Sequence, residues 1–501
     1  MFDKPSNFNI NGGIFIDTSG GARSGTKDSK DYQTTLSDTC NFIGIDILYG
    51  SSIAAAAHDS AVTESYKSGC LEGTRTQHID DITAWTTNRN QPQQHRLLWM
   101  WGPAGVGKSA IAKSCAEKTA GQCRLGASFF FSRTQHVDDP LRFFTTIAHQ
   151  LSTKIDEYRN ALDLKIQHNP ALLTKGIDAQ FRELIIEPFM ELAERNVDME
   201  DKMVIIDGLD ECNGDPAQSK IVELVAKSVM EHGDRLPLLW AFFSRPESHI
   251  NREFSPYSSS HLFSKVELSV SESDNDDIRR YFRDKLRALA SADAVWPSDD
   301  TLDILVAMAA GLWIYAATLV RFILDQESLP RQQLDRVLEF HSQRIQSNTK
   351  SSVTAELDAF YQMIISQISS KHLPIVQQSL LIHHTTSEAT LHILSNIQGL
   401  ALEDLKHALS KLHSVLMFTL EEERDWGDPF PGSAHISFYH ASFMEFLLDK
   451  TRSEEYWLED RRHYTALAIK VLRLFKDLYA MNGISRGTLF IPDDISCCEW
   501  N

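Results

Sequence analysis

The chain has 501 residues, which is too long for a single hydrophobic core and predicts about two to four domains. Its composition, 42% hydrophobic and 23% charged, is that of an ordinary globular protein. The formal net charge of −19 argues against general nucleic-acid binding, which needs a basic surface, so we expect no nucleic-acid partner.

The first part of the chain is rich in glycine, serine, threonine and aspartate. We expect residues 1–67 to form a partly disordered linker that ends in a helix over residues 53–66. The start of the sequence lacks the apolar core of a signal peptide. The seven cysteines have no zinc-ligand spacing and their number is odd, which is typical of a reduced, cytoplasmic protein.

A complete phosphate-binding motif follows a short apolar run at residues 97–101, which we interpret as a buried strand. The motif consists of Gly102, Pro103, Ala104, Gly105, Val106, Gly107, Lys108 and Ser109, and a helix is expected from Ala110 onward. Converging backbone N–H groups and the helix dipole make such a turn an anion site. Lys108 is expected to reach the β- and γ-phosphates of a nucleotide, and the Ser109 hydroxyl to ligate Mg²⁺.

Three further apolar runs predict strands at residues 127–132, 202–207 and 236–244, with helices between them. Nearly continuous apolar strands are typical of a parallel sheet covered on both faces, so we expect a doubly wound α/β fold of the P-loop NTPase type. After about residue 260 the strands are expected to give way to helices, including one over residues 302–324, and a further strand is expected at residues 434–439. The uncharged stretch inside that helix is slightly too short to span a membrane, so a buried helix is favoured.

Acidic residues follow the predicted strand at residues 202–207. Asp207 ends this strand, where a carboxylate can hold Mg²⁺ opposite the phosphate loop. Asp210 and Glu211 come just after it, and either one could polarise the water that attacks the γ-phosphate. The alternative is a surface acidic turn, which the pairing with the phosphate-binding motif disfavours.

Arg245 follows the next predicted strand. An arginine in this place can reach the γ-phosphate and report its presence. The alternative is an arginine held in a structural salt bridge.

These motifs together resemble those of the NACHT NTPases, which are NLR-like members of the signal-transducing STAND class. The amino-acid sequences of residues 102–109, 207–211 and 244–247 are similar to those of the fungal, nephrocystin-like branch. Further similar segments are residues 70–75, 128–133, 311–316, 412–416 and 438–447. The first of these, with Thr74 and Arg75, resembles the stretch that leads into the nucleotide domain and covers the base.

The resemblance implies a switch whose closed form holds ADP, which opens on exchange for ATP and then self-oligomerises, with slow hydrolysis resetting it. His440 matches the family's winged-helix histidine, which contacts the β-phosphate in the closed form; the alternative is a capping or core histidine. Many relatives carry Gly-x-Pro at the adenine, whereas this chain has Gly311-Leu312-Trp313, which leaves the base contact open. The resemblance further implies an effector or sensor protein as a partner, and a role in fungal innate immunity or heterokaryon incompatibility. We also expect a truncated C-terminus.

The expected domain organisation follows from these assignments. The expected segments are an N-terminal linker and helix (1–67), a NACHT P-loop NTPase domain (68–255), a helical subdomain (256–345), a winged-helix-like region (346–455) and a helical tail (456–501). The alternatives to a switch are a genuine ATPase or GTPase and a nucleotide-binding scaffold. ATP is favoured over GTP because Asp-Gly-Leu-Asp is not the guanine-reading Asn-Lys-x-Asp pattern.

Overall fold

The computed structural model describes residues 42–85, 95–269, 272–287, 296–325, 328–346, 353–386, 389–420 and 434–481. The chain divides into two units, Met1–Phe42 and Ile43–Asn501, and every feature reported below belongs to the second. Most of the expected N-terminal linker and the end of the expected tail lie outside the described residues.

A parallel five-stranded sheet forms the centre of the nucleotide domain. Its strands are β1 (Leu97–Trp101), β2 (Leu125–Phe130), β3 (Lys202–Asp207), β4 (Leu238–Ser244) and β5 (Phe263–Glu267), in the order β2-β3-β4-β1-β5. The pairing of β1 aligns Trp99 with Phe242 of β4 and Lys265 of β5. Nearly every side chain of β1 to β4 is buried because helices cover both faces of the sheet. The predicted doubly wound α/β class is therefore confirmed.

The expectation that the strands of the parallel sheet end by about residue 260 is wrong, because β5 lies beyond that point, whereas the strand expected at residues 434–439 is present as β7 (Ala434–Phe438). Strand β5 carries Ser264, Lys265 and Glu267; only its first residue, Phe263, is buried, and Lys265 and Glu267 are exposed. It occupies the edge of the sheet, where polar side chains face solvent. A search for continuous apolar runs therefore misses it.

Helices precede the sheet and connect its strands. They are α1 (Ile43–Gly50), α2 (Ala61–Tyr66), α3 (Thr76–Trp85), α4 (Lys108–Gly121), α5 (Phe143–Lys154), α6 (Asp156–His168), α7 (Ile177–Gln180), α8 (Glu187–Glu194), α9 (Asp215–His232) and α10 (Ser248–Phe254). A π-helical stretch, Phe181–Ile186, joins α7 to α8. The single helix expected over residues 53–66 is wrong. A 3₁₀ turn (Ala54–Ala56) precedes α2, which starts only where the Ser60 side chain accepts a hydrogen bond from the Thr63 N–H.

The C-terminal half is mainly helical. Its helices are α11 (Glu272–Arg287), α12 (Asp299–Ala309), α13 (Trp313–Ile323), α14 (Pro330–Gln346), α15 (Val353–Ser366), α16 (Leu373–Thr385), α17 (Leu391–Gln398), α18 (Leu402–Ser410), α19 (Ala441–Leu448), α20 (Lys450–Ser453) and α21 (Arg461–Met481). An antiparallel pair, β6 (Leu416–Leu420) and β7 (Ala434–Phe438), lies between α18 and α19. Leu98 and Met100 of β1 belong to the same buried cluster as the apolar residues of α12 to α19, so the core of the helical half is continuous with the core on one face of the sheet.

The helix expected over residues 302–324 is broken into α12 and α13. Ala310 and Gly311 both adopt left-handed backbone conformations, with φ of +47° and +77°, which ends α12. The chain then restarts a helix at Trp313. Within the described ranges, no helix has both the length and the apolar character required to cross a bilayer.

Candidate functional site

A pocket of about 210 Å³ lies beside the phosphate loop. Doubly wound folds bind ligands at the carboxyl ends of their strands, and the loops after β1, β3 and β4 meet here. The predicted site residues that line the pocket are Thr74, Arg75, Ala104, Gly105, Gly107, Lys108, Ser109, Ala110, Asp210, Glu211, Arg245 and His440. Four predicted residues do not line it: Gly102, Pro103, Val106 and Asp207. Tyr281 of α11 and Trp313 of α13 line the pocket as well, so residues of the nucleotide domain and of the helical half share one cavity.

The phosphate loop turns directly into α4. Gly107 caps this helix with a φ of +98°, a left-handed conformation that glycine adopts without strain. The Lys108 ammonium donates to the carbonyl oxygens of Gly102 (2.8 Å) and Pro103 (2.7 Å). Burial lowers the pKa of Lys108 to about 8. The ammonium thus lies over the loop, where it can exchange carbonyl oxygens for those of a phosphate.

The start of α13 packs against the phosphate loop. The Ile314 N–H donates to the carbonyl of Gly105 at 3.0 Å, and a Cβ at Gly105 would lie 2.2 Å from the Ile314 side chain. This close approach requires glycine at position 105. The break between α12 and α13 creates the contact, because a continuous helix would not present its residues 312–315 to the loop.

Trp313 and Arg75 form one wall of the pocket. The Arg75 guanidinium lies 5.8 Å from the Trp313 ring centroid, pairs with Asp274 at 2.7 Å and donates to the Val106 carbonyl at 3.1 Å. Tyr281 packs edge-on to Trp313 at 5.8 Å. The Trp313 indole N–H and the Arg75 Nε are buried and have no hydrogen-bond partner within the described part of the chain. This wall can therefore offer an aromatic surface and two donors to a flat, polar ligand.

Asp207 is covered by a lysine that the sequence motifs do not reveal. The Lys67 ammonium forms an ion pair with Asp207 Oδ2, and the two side chains are 11% and 1% exposed. Burial alone would lower the pKa of Lys67, but the Asp207 carboxylate outweighs it and raises this pKa. Lys67 is a single lysine after a short helix, and nothing in its spacing marks it.

Arg245 links the nucleotide domain to α19. Its backbone N–H and Nε contact the two carboxylate oxygens of Asp210, at 2.9 and 3.2 Å. Its Nη2 pairs with Glu445 Oε1 of α19 at 2.7 Å. Burial would lower the pKa of Arg245, but Glu445 and Asp210 outweigh it and raise it. The salt bridge that the sequence left open as an alternative is thus present, and the same arginine lines the pocket.

Glu211 differs from its neighbour Asp210, since no ion pair of its carboxylate is found among the described residues, whereas Asp210 pairs with Arg245. The Glu211 Oε2 accepts from the Arg133 backbone N–H at 3.3 Å. Burial, with the nearby Asp210 charge, raises the pKa of Glu211 to about 7. A carboxylate with a pKa near neutrality is suited to accept a proton from water.

His440 precedes α19 as its N-cap. Its Nδ1 accepts from the Ser442 backbone N–H at 3.1 Å and lies 2.7 Å from the Ser442 hydroxyl, which contacts the Tyr361 hydroxyl at 2.8 Å. Because a backbone N–H can only donate, Nδ1 is unprotonated and the ring proton is on Nε2. Burial, with the nearby Arg245 and Lys108 charges, lowers the pKa of His440 to about 3, so the ring is neutral. His440 is thus a capping residue, as one alternative had it, and also a pocket residue with an N–H to donate.

The oxygen donors at this site fit Mg²⁺ only together with a nucleotide. Ser109 and Asp207 supply the hard oxygen ligands that Mg²⁺ prefers. No cluster of three or more His, Cys, Asp or Glu side chains that could hold a metal is found in the described ranges. Mg²⁺ normally completes its octahedral shell with phosphate oxygens and water, so two protein ligands are enough.

Comparison with known proteins agrees with the nucleotide domain. The family model described as Nephrocystin 3, N-terminal, matches residues 73–245, which contain the phosphate loop, β3 and Arg245. No curated protein matches the chain. The chain therefore contains a P-loop NTPase-like domain.

Two solved structures from Aeropyrum pernix are similar at a low level. The ORC1 protein in complex with DNA is 12% identical, with a TM-score of 0.35, covering 77% of this chain and 92% of that one. The ORC2 protein in its ADPNP-ADP complexes is 14% identical, with a TM-score of 0.36, covering 71% and 90%. These TM-scores are too low to indicate what this chain binds.

Proposed function

We propose that this chain is a nucleotide-controlled switch that holds ADP in a closed form and opens when ATP replaces it. One observation carries the proposal: α19 of the C-terminal half supplies Glu445 to Arg245 and begins at His440, in the pocket that contains Lys108. A nucleotide bound there would touch both halves of the molecule. Its phosphates could therefore control whether the halves stay together.

The proposed roles follow from position and charge. Lys108 binds the β- and γ-phosphates, and residues 102–110 supply backbone N–H groups to them. Ser109 and Asp207 hold Mg²⁺, which neutralises phosphate charge when bound. Glu211 accepts the proton of the attacking water, while Asp210 positions Arg245. His440 donates its Nε2 proton to the β-phosphate of ADP.

Arg245 is the proposed sensor of the γ-phosphate. In the closed form its guanidinium is shared between Asp210 and Glu445. A γ-phosphate carries more negative charge than one carboxylate and accepts charge-assisted hydrogen bonds from arginine. We therefore expect ATP to draw Arg245 away from Glu445, which releases α19 from the pocket.

Trp313 and Arg75 are the proposed contacts to the base, with Thr74 beside them. The buried, unpartnered N–H groups of this wall support a ligand with acceptor atoms in a flat ring. We favour adenine over guanine on the sequence pattern after β3. Trp313 would then take the place that proline has in relatives.

We assign the chain more narrowly to the fungal NACHT branch of the STAND class. The family match over residues 73–245 and the resemblance in the other motifs support it. We propose the domain boundaries given above, a winged-helix role for residues 346–455, slow hydrolysis, cytoplasmic location and self-oligomerisation on opening. An effector or sensor partner and a role in fungal innate immunity or heterokaryon incompatibility belong to the same proposal.

A genuine ATPase or GTPase is the second candidate. The observation that favours it is Glu211, whose pKa of about 7 suits a general base for rapid turnover. Turnover separates the two: we expect less than about one cycle per minute for a switch, against about one per second or more for an ordinary enzyme.

The test is the nucleotide released from the purified, denatured full chain, identified by chromatography. The proposal predicts close to one ADP per chain, and its loss in the Lys108→Ala variant. Empty protein that hydrolyses added ATP rapidly would support the enzyme instead. Empty protein that neither binds nor hydrolyses nucleotide would contradict both.

A further inference from the structure

Lys67 reaches the nucleotide site from a segment that precedes residues 73–245, the part of the chain that the family model matches. The backbone of this segment is held by hydrogen bonds. The Lys67 backbone N–H donates to the Thr63 carbonyl at 2.9 Å at the end of α2. Before it, the His58 N–H donates to the Ser128 hydroxyl of β2 at 2.9 Å. After it, the Cys70 N–H donates to the Ser114 hydroxyl of α4 at 2.8 Å. The segment is thus anchored to the nucleotide domain on both sides of Lys67.

The groups around the Lys67 ammonium stabilise a positive charge. The ammonium pairs with the buried carboxylate of Asp207, and it lies 5.2 Å from the Phe130 ring and 5.6 Å from the Tyr66 ring. Aromatic faces attract cations, and a buried carboxylate is stable as an ion only beside a positive charge. Lys67 supplies that charge from within the chain.

We propose that Lys67 is a tethered substitute for the divalent metal: it neutralises Asp207 while the diphosphate is held, and Mg²⁺ that enters with a triphosphate must displace it. This inference rests on the proposed function, which makes Asp207 a metal ligand. An ammonium and a divalent metal ion that contact the same buried carboxylate repel each other strongly. Lys67 therefore weakens metal binding in the diphosphate state and makes metal entry depend on the additional oxygens of a γ-phosphate.

The test measures metal affinity and not hydrolysis. The full chain is saturated with a fluorescent N-methylanthraniloyl derivative of ADP, and Mn²⁺ is titrated while free Mn²⁺ is followed by electron paramagnetic resonance. Wild type is compared with Lys67→Met and with Lys118→Met. Lys118 is a matched control, since its pair with Asp80 (2.6 Å) lies at the surface, with side chains 40% and 65% exposed.

Lys67→Met is expected to bind Mn²⁺ about 10- to 100-fold more tightly than wild type, because the repulsion between the ammonium and the metal is removed, with Lys118→Met unchanged. The gain should vanish when Lys67→Met is combined with Asp207→Asn. Unchanged or weaker Mn²⁺ binding by Lys67→Met, or a gain that survives in the double variant, would overturn the inference. Lys67→Gln, which keeps a hydrogen-bond donor for Asp207, must give the same gain and serves if the methionine variant does not fold.

Binding of the fluorescent ADP in the presence of EDTA separates this inference from the proposed function. If wild type does not bind it, the proposed function fails and the inference fails with it. If wild type and Lys67→Gln both bind it but have equal Mn²⁺ affinities, the inference alone fails.

Discussion

Replacing Glu445 with glutamine should loosen the closed form. The substitution keeps the size of the side chain and removes the charge that faces Arg245 at 2.7 Å. Fully exposed ion pairs contribute about 0–1 kcal/mol, and loss of one partner of a buried pair costs about 3–5 kcal/mol. Arg245 and Glu445 are 22% and 37% exposed, so solvent screens the pair in part. We therefore expect a cost of about 1–2 kcal/mol, which is about 5- to 30-fold in the equilibrium between closed and open forms.

The release of fluorescent ADP after mixing with excess unlabelled ADP measures this effect. If release requires opening, Glu445→Gln should release ADP about 5- to 30-fold faster than wild type. Glu403→Gln is the matched control, because Glu403 pairs with Lys406 at 3.1 Å on the surface of the same half and is 82% exposed. Equal release rates for wild type and Glu445→Gln, in a variant with unchanged thermal stability, would refute the reasoning that the Arg245–Glu445 pair holds the closed form.

Three further substitutions test the other roles. Lys108→Ala should weaken ATP binding about 10- to 100-fold in calorimetry, because charge-assisted hydrogen bonds to phosphate are lost, and wild-type affinity would remove Lys108 from the site. Glu211→Gln should bind ATP normally but hydrolyse it about 100-fold more slowly, and unchanged turnover would transfer the role to Asp210. Folding raises the pKa of Glu211 from 4.5 to about 7, so the native chain binds more protons than the unfolded chain between these pH values. Wild type should therefore lose stability relative to Glu211→Gln as the pH rises from 4.5 to about 7. A stability difference that stays constant over this range would contradict the burial of Glu211. His440→Ala should release ADP faster and contain more oligomer by light scattering, whereas wild-type behaviour would leave His440 only its capping role.

The sequence predicts the sheet well where burial is complete. β1 and β3 begin and end at the predicted residues, because both faces of these strands are covered; β1 is apolar throughout, and β3 is apolar between Lys202 and Asp207 at its two ends. β5 is different, since its edge position permits Ser264, Lys265 and Glu267 and hides the strand from an apolar search. In the sequence, Gly311 is a single glycine inside a helical pattern, which can mark a helix end. The alanine-rich residues on both sides of it nevertheless favour one continuous helix.

The candidate site is predictable only as far as its local motifs extend. Lys108 and Arg245 stand next to the strands that position them, so spacing along the chain identifies them. Lys67 meets Asp207 across 140 residues, and Glu445 of α19 meets Arg245, which directly follows β4. Tertiary contacts of this kind leave no periodicity or spacing in a single sequence.

Amide hydrogen exchange of α19 (Ala441–Leu448) tests the central claim most directly. The full chain is compared with saturating ADP and with a non-hydrolysable ATP analogue plus Mg²⁺, and the peptides that cover α19 and β7 are followed by mass spectrometry. The account predicts strong protection of these peptides with ADP and faster exchange with the ATP analogue, as α19 leaves the pocket. Equal protection in both states, with both nucleotides bound, would contradict it.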